Sequence, residues 1–461
     1  MTLDRRSMLT AGIGAGIGAG LAAGIPGAAH AGPRDDRLRL ATAAVPRATD
    51  LGLEPDIDRD QSAALQRAID AAASRGEPLV LPPGRYRVAS ITLRSGSRII
   101  GAHGATVLEY TGGDAFLRAD GVDGLRIEYL TLDGGYKQLS AADALLRIDR
   151  SKDIELHGLT LTRSPANGIS LASCSGTISD CNISSAMQAG IHSLDADGGF
   201  DIRNNCVADC ANNGIQVWRS NAGIDGSTVS GNRIERIRAD SGGTGENGNG
   251  VNVFRAGGVL VANNRITDCA YSAVRGNAAS DIQIIANSCA RLGEVALYAE
   301  FGFEGALIAS NLVDTAATGI SVTNFNDGGR LGVVQGNLIR NLFRREHEPE
   351  DKRGNGIAVE ADTAVIGNTI EGAPTAGIVL GWGRYLRDVI TSSNIVRASK
   401  VGILVSSEGG PCLLSGNMIS GASDGAIRAM DGSGTPQGPD LAQGGSAGAP
   451  THISLTGNLA V

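Results

Sequence analysis

A four-residue phrase recurs along this chain and leaves few folds open to it. Gly-Asn-x-Ile stands at residues 231–234, 336–339, 367–370 and 416–419, with looser copies at 180–183, 263–266, 310–313 and 393–396. About ten residues after most copies comes Asn-Gly-Ile or a variant, as at Asn167-Gly168-Ile169, Asn213-Gly214-Ile215, Asn249-Gly250-Val251, Thr318-Gly319-Ile320, Asn355-Gly356-Ile357 and Ala376-Gly377-Ile378. The steps from Asn264 to Asn287, Asn311 and Asn337 are 23, 24 and 26 residues, and that from Asn394 to Asn417 is 23. A period in the twenties, rich in Asn, Gly, Ile and Val, specifies a solenoid.

Each repeat holds short β-branched runs broken by Gly and Asn, with no helical stretch, so its coils are strands joined by tight corners. The expected fold is an all-β solenoid, a single-stranded, right-handed parallel β-helix, with columns of Ile, Val, Leu and Ala inside. The repeated asparagines read as corner residues that bond up and down the stack. A uniform repeat over about 91–461 overrides the several globular domains that 461 residues would otherwise suggest. Aromatic residues at 3% and 66 glycines suit a thin core of small stacked side chains. A formal charge of −8 argues against a nucleic-acid partner.

The first residues carry Arg5-Arg6 ahead of a soft Gly/Ala run that ends at Ala29-His30-Ala31. A paired arginine before a weakly apolar stretch resembles a twin-arginine export signal, and Ala-His-Ala is a cleavage site. Residues 1–31 are therefore expected to be a signal peptide handled by the twin-arginine export machinery, and 32–57 a linker. The mature chain would be periplasmic or secreted, with no stable membrane span. Of the seven cysteines, Cys210 and Cys269 fall on an inward column two coils apart, about 9.6 Å at roughly 4.8 Å per rung, too far for a disulfide. Cys174, Cys181 and Cys206 remain open as partners for one another, and no Cys/His spacing suggests zinc.

Residues 58–90 read as a capping helix, with Asp60 at its N-cap and Gly76 at its end, followed by strands at 79–88 and a proline turn. The helix, then Val80-Leu81-Pro82-Pro83-Gly84-Arg85-Tyr86-Arg87-Val88, then Ile91-Thr92-Leu93, resembles the opening of pectate-lyase-like β-helix proteins. With the paired arginine and the G-N-x-I and N-G-I coils, the chain resembles a family of twin-arginine-translocated repetitive proteins within that superfamily. The resemblance implies polysaccharide as the ligand class and carries no specific reaction with it. The Asp-Pro-His-Asp of alginate epimerases, the paired aspartates and Gly-His-Gly of polygalacturonases and the Arg-x-Pro-x-x-Arg of pectate lyases are absent from this sequence.

In Asn-Gly-Ile-x-Val-x the x positions face outward. Through the middle coils they are His192, Gln216, Trp218, Asn252, Phe254, Arg275, Asn277, Tyr298, Glu300, Ser321, Thr323 and Glu360, and later coils turn bland. Two insertions, at 238–249 and at 341–353 with its Arg344-Arg345-Glu346-His347-Glu348 run, could wall a groove across these residues. Glu300 and Glu360, two rungs apart, are candidate acid and base for an inverting glycosidase. For a lyase or epimerase, Arg275 or Arg255 would neutralise a uronate, with Tyr298 or His192 as base. His192, Trp218, Asn252, Phe254, Arg255, Asn277 and Thr323 would bind the sugar, with Trp218, Phe254, Tyr298 and Trp382 able to stack on it. No cofactor is expected; Asp195, Asp197, Asp201 and Asp209 invite calcium, but match no known calcium-loop spacing. The leading function is an exported polysaccharide-binding protein that could cleave or epimerise its ligand. The rival is a non-catalytic envelope or surface protein that binds glycan or protein.

Overall fold

The computed structural model describes residues 52–461 except 244, 346–353 and 445–448. The signal peptide, most of the linker and the Glu346-His347-Glu348 part of the second insertion lie outside the described residues. The chain winds as a parallel β-solenoid whose coils each give one strand to each of three 15-stranded sheets. The first sheet runs from Leu79–Val80 to Ile453–Thr456, the second from Gly84–Val88 to Leu459–Ala460, and the third from Ile91–Thr92 to Pro436–Gln437. All neighbouring strands pair parallel except the last, Pro436–Gln437, which runs antiparallel on Ile427–Met430. No helix among the described residues is long and apolar enough to cross a membrane.

Register explains the repeat. Val313, Ile339, Ile370, Val396 and Ile419 are partners on successive rungs of the second sheet and are at most 1% exposed. The first residue of each G-N-x-I phrase, not the asparagine, takes the left-handed turn: Gly231, Gly336, Gly367 and Gly416 have φ of 66°, 64°, 64° and 61°. Asn263, Ser310 and Ser393 do the same in looser copies.

The phrase asparagine bonds up and down the stack, as its recurrence at the corners predicts. The backbone N–H and the Nδ2 of Asn205, Asn232, Asn264, Asn287, Asn311, Asn337, Asn368, Asn394 and Asn417 each donate to Oδ1 of the next asparagine in that series, which ends at Asn458. The second Nδ2 hydrogen reaches a carbonyl on the preceding side, as Asn311 Nδ2 does to Ile284 O at 2.9 Å. Every polar hydrogen of these buried side chains is thereby used, which is what burial of an amide demands.

The glycine of Asn-Gly-Ile answers a different constraint. A Cβ on Gly214, Gly319, Gly356 or Gly402 would lie 2.3–2.5 Å from a carbonyl oxygen of the next rung and against an inward Ile methyl. No such contact is tolerated, so glycine is needed for close approach rather than for turning.

Both ends are covered. The helix Ser62–Arg75 buries Leu65, Ala68, Ile69 and Ala72 and ends on left-handed Gly76. Its N-cap is Gln61 rather than Asp60, whose Oδ1 instead accepts the Ser62 N–H. At the far end, Asp440 accepts the Ala426 and Ile427 N–H groups. With the antiparallel strand, this closes the last edge of the third sheet.

All seven cysteines are free. Cys181 is buried at the corner ahead of the second sheet, where its N–H donates to Asn205 Oδ1, whereas Cys206 is exposed and pairs in register with outward Asn182. Cys174 Sγ points at the Ile148 and Ala172 carbonyls. Burial pushes the Cys181 and Cys210 thiols up to about 12, as befits packing residues.

The ladder predicts that Asn311→Ala, which strands the Asn287 N–H and Nδ2 and the Ile284 carbonyl, costs on the order of 3–5 kcal/mol in urea unfolding. Exposed Asn182→Ala is expected to change stability by less than about 0.5 kcal/mol.

Candidate functional site

The third sheet presents the polar and aromatic columns. Ser170, His192, Gln216, Asn252, Arg275, Tyr298, Ser321, Ala358, Val379, Leu404 and Arg428 follow one another in register. Beside them run Trp218, Phe254, Asn277 and Glu300. The predicted continuous groove is not there. A ridge divides it into two pockets.

The ridge is built on Arg275. Its Nε and Nη2 bond Glu300 Oε1 and Oε2 at 2.6 and 2.9 Å, and its Nη1 reaches Glu294 at 3.1 Å. Asn277 Nδ2 adds a bond to Glu300 Oε1 at 3.0 Å, and the guanidinium stacks on the Tyr298 ring, 5.1 Å from its centroid. Arg275 is 8% and Glu300 2% exposed. Glu300 is therefore the counter-ion of a buried arginine, not an acid or base open to a ligand. Arg275, shared between two carboxylates, is likewise spent as a neutraliser of uronate. Sequence spacing put both on an outward column, but could not reveal that adjacent rungs bring them into contact.

The insertions do not stand as opposite walls. The glycine-rich one folds down onto the ridge: a Cβ on Gly245 would come 1.7 Å from Arg275 Nη1, and Glu246 O accepts from Asn213 and Asn252. The described part of the second meets it. Arg345 pairs with Glu294 at 3.4 Å and lies over the Tyr271 ring, whose hydroxyl bonds Gly243 O.

On one side of the ridge, Trp218, Asn252, Phe254, Asn277, Arg275, Glu246 and Phe301 line a pocket of about 220 Å³. Its aromatics form an edge-to-face run, His192 to Trp218 at 5.4 Å and Trp218 to Phe254 at 5.7 Å. Trp218 Nε1 donates to Asn252 Oδ1 at 3.1 Å. His192 touches this run without lining the pocket, and burial lowers its pKa, so it is neutral near pH 7. Arg255 sits at the corner outside, over Phe254 and bonded to Ser220 O.

On the other side lies a larger pocket of about 380 Å³. Tyr298, Ser321, Thr323, Asn324, Asn326, Glu360, Trp382 and Tyr385 carry its chemistry. Glu360 Oε2 accepts the Phe325 N–H at 2.6 Å, fixing the carboxylate against the short 3₁₀ turn Phe325–Asp327. Tyr298 contacts Thr323, and burial raises its pKa, so the phenol stays protonated. Of the predicted residues, Tyr298, Ser321, Thr323, Glu360 and Trp382 meet here. Asn324, Asn326 and Tyr385 were missed. They sit in turns that leave the third sheet, at 323–329 and 381–388, whereas sequence length drew attention to the insertions that lead into it. Phe325 packs edge-to-face on Tyr385 at 6.5 Å and under Arg387 at 4.4 Å, so these turns brace each other.

A broader cleft of about 970 Å³ lies over the first rungs, lined by Arg94, Arg118, Asp120, Asp143, Arg147 and Asp149 with no aromatic residue. Arg147 is forked between Asp143 and Asp149, and Arg94 pairs with Asp70. The aspartates considered for calcium are dispersed: Asp195 bonds Ser220, Asp197 pairs with Lys152, Asp201 with Arg203 and Asp209 with Arg236. Among the described residues no three His, Cys, Asp or Glu side chains gather as a metal set.

Two family models match. One, described as rhamnogalacturonase A/epimerase, pectate lyase-like, covers residues 47–274; the other, a right-handed beta helix region, covers 224–387. The solenoid is a right-handed parallel β-helix. The structure is similar to the N-terminal fragment of bacteriophage phi29 gene product 12, with TM-score 0.52 and 13% identity over 90% of this chain and 70% of that one. It is also similar to the tailspike protein of E. coli bacteriophage HK620, with TM-score 0.50 and 11% identity over 88% and 75%. A third likeness is to a GH87 alpha-1,3-glucanase catalytic unit from Streptomyces thermodiastaticus, with TM-score 0.47 and 16% identity over 90% and 69%. At these identities the likeness concerns the fold alone. No curated protein matches the chain.

The ridge predicts that Glu300→Gln costs on the order of 3 kcal/mol in unfolding, because a buried cation loses its bidentate partner. Glu304→Gln, which breaks a more exposed pair with Arg330, is expected to cost less than about 1 kcal/mol.

Proposed function

We propose that this chain is an exported protein that binds a polysaccharide on the outer face of its third sheet, with its principal sugar seat around Glu360. One observation carries the reading. The 380 Å³ pocket combines Trp382 and Tyr385, whose faces suit a pyranose ring, with Thr323, Asn324, Asn326 and a fixed carboxylate for its hydroxyls. The pectate-lyase-like family description supports carbohydrate as the ligand class. Any proton transfer in this pocket would fall to Glu360, with Tyr298 as a neutral hydrogen-bond donor. The Glu300–Glu360 pair is not proposed as acid and base, since both Glu300 oxygens are engaged by Arg275 and Asn277. A non-catalytic glycan-binding role is favoured by that same engagement, because it leaves the pocket one carboxylate rather than two.

Export rests on Arg5-Arg6, the Gly/Ala run and Ala29-His30-Ala31. It places the mature protein in the periplasm or outside the cell, and an Arg5→Lys/Arg6→Lys variant is expected to accumulate inside.

Residues 32–461, screened against neutral and uronic oligosaccharides by calorimetry, are expected to bind at least one class. Trp382→Ala should weaken that binding about tenfold or more, or roughly 1.4 kcal/mol, whereas Tyr136→Ala, exposed and distant in sequence, should not. Release of reducing ends or of unsaturated uronate that disappears in Glu360→Gln would mark an enzyme. Absence of binding to every glycan would contradict the proposal.

A further inference from the structure

The second sheet changes character along the solenoid. Its outward column reads Asn182, Cys206, Arg233, Arg265 and Ser288 over the middle rungs, then Leu312, Leu338, Thr369, Ile395, Met418 and Leu459 to the end. Leu338, Ile395, Met418 and Leu459 are 37, 40, 44 and 52% exposed. Polar residues are the ordinary occupants of an outward strand position, so a run of aliphatics there is a patch rather than scatter. The first sheet changes at the same rungs. Its outward column reads Asp201, Thr228, Leu260 and Gln283, then Leu307, Val333, Ala364, Ile390 and Leu413 before ending at Ser454. Between the two columns lies the corner above the asparagine ladder, whose Ser310, Gly336, Gly367, Ser393 and Gly416 are too small to keep another surface away. From Leu312 to Leu459 is five rungs, about 24 Å at roughly 4.8 Å each.

The next outward column on the second sheet is charged and alternates in sign. Asp314, Arg340, Glu371 and Arg397 are register partners on consecutive rungs, paired as Arg340–Asp314 at 2.7 Å and Arg397–Glu371 at 3.2 Å. An alternating series of even length has a property of its own. Turned end for end by a two-fold axis between Arg340 and Glu371, it meets its copy with every sign opposed. Asp314 then faces Arg397 of the second copy and Arg340 faces Glu371, while Leu312 and Leu338 fall opposite Ile395 and Thr369. No other placement of the axis aligns all four charges.

We infer that this face is a self-association surface, on which a second copy of the chain docks antiparallel through the aliphatic stripe with the alternating charges setting its register. The surface is remote from the proposed sugar seat on the third sheet and does not depend on that reading.

The test is the mass of the mature protein by analytical ultracentrifugation from about 1 to 100 μM. A dimer is expected, and Leu338→Glu with Ile395→Glu should shift its dissociation constant upward by 100-fold or more while the melting transition persists. Arg340→Glu places two glutamates against each other twice across the axis and should weaken the dimer at least tenfold. Adding Glu371→Arg restores opposed signs and should recover most of that loss, which no parallel or heterologous contact would do. A monomer at all concentrations, a higher oligomer, or a dimer indifferent to Leu338→Glu/Ile395→Glu overturns the proposal. A dimer that responds to the stripe but shows no recovery in the Arg340→Glu/Glu371→Arg pair overturns the antiparallel register.

Discussion

The unbroken run of amides from Asn205 to Asn458 holds the rungs of this solenoid at one spacing, and the remaining features hang on that spacing. Each asparagine uses its acceptor twice, for the backbone N–H and the Nδ2 of the asparagine on the previous rung, and spends its remaining hydrogen on a carbonyl. An amide buried in this way stabilises only while its neighbours on both sides are present, so the ladder makes adjacent coils dependent on one another. Loss of one side chain leaves donors buried without partners, a larger penalty than the loss of one bond. The glycine of the second phrase meets the complementary demand at the next corner, where strand and core approach too closely for a Cβ.

With the rungs fixed, outward side chains on neighbouring coils are forced into contact, and the site follows from that. Asn252, Arg275, Tyr298 and Ser321 are consecutive neighbours down one column, and Phe254, Asn277 and Glu300 down the next. Arg275 thus finds Glu300 beside it and Glu294 behind it, and a side chain that would be a solvated surface cation on an isolated strand becomes the centre of a nearly buried cluster. That cluster divides the face of the third sheet. The aromatic run at His192, Trp218 and Phe254 lies on one side, and the carboxylate of Glu360 with Trp382 and Tyr385 on the other.

The periodic part of this architecture was legible from the chain alone, since a repeat of fixed phrases determines which residues share a column. Glu300 and Glu360 do stand two rungs apart, and Cys210 and Cys269 do lie on one inward column. What could not be read was contact between columns. Whether Glu300 points to solvent or to Arg275 depends on rotamers and on the loop carrying Gly245, neither of which has a sequence period. Turns escaped for a related reason. Asn324, Asn326 and Tyr385 sit where the coil length varies from rung to rung, so no alignment of repeats brings them together. Insertion length pointed instead to 238–249 and 341–353, and the described parts of these close over the ridge.

The sugar seat proposed for this solenoid lies in the turns that leave the third sheet, on a face whose spacing the ladder sets. Hydrogen–deuterium exchange on residues 32–461, with and without the tightest-binding oligosaccharide, tests it most directly. Protection concentrated in peptides covering 321–329 and 381–386, against an unchanged slow-exchanging ladder, is the predicted result. Protection confined to the first rungs between residues 92 and 149, or to the outer faces of the first and second sheets, would contradict it.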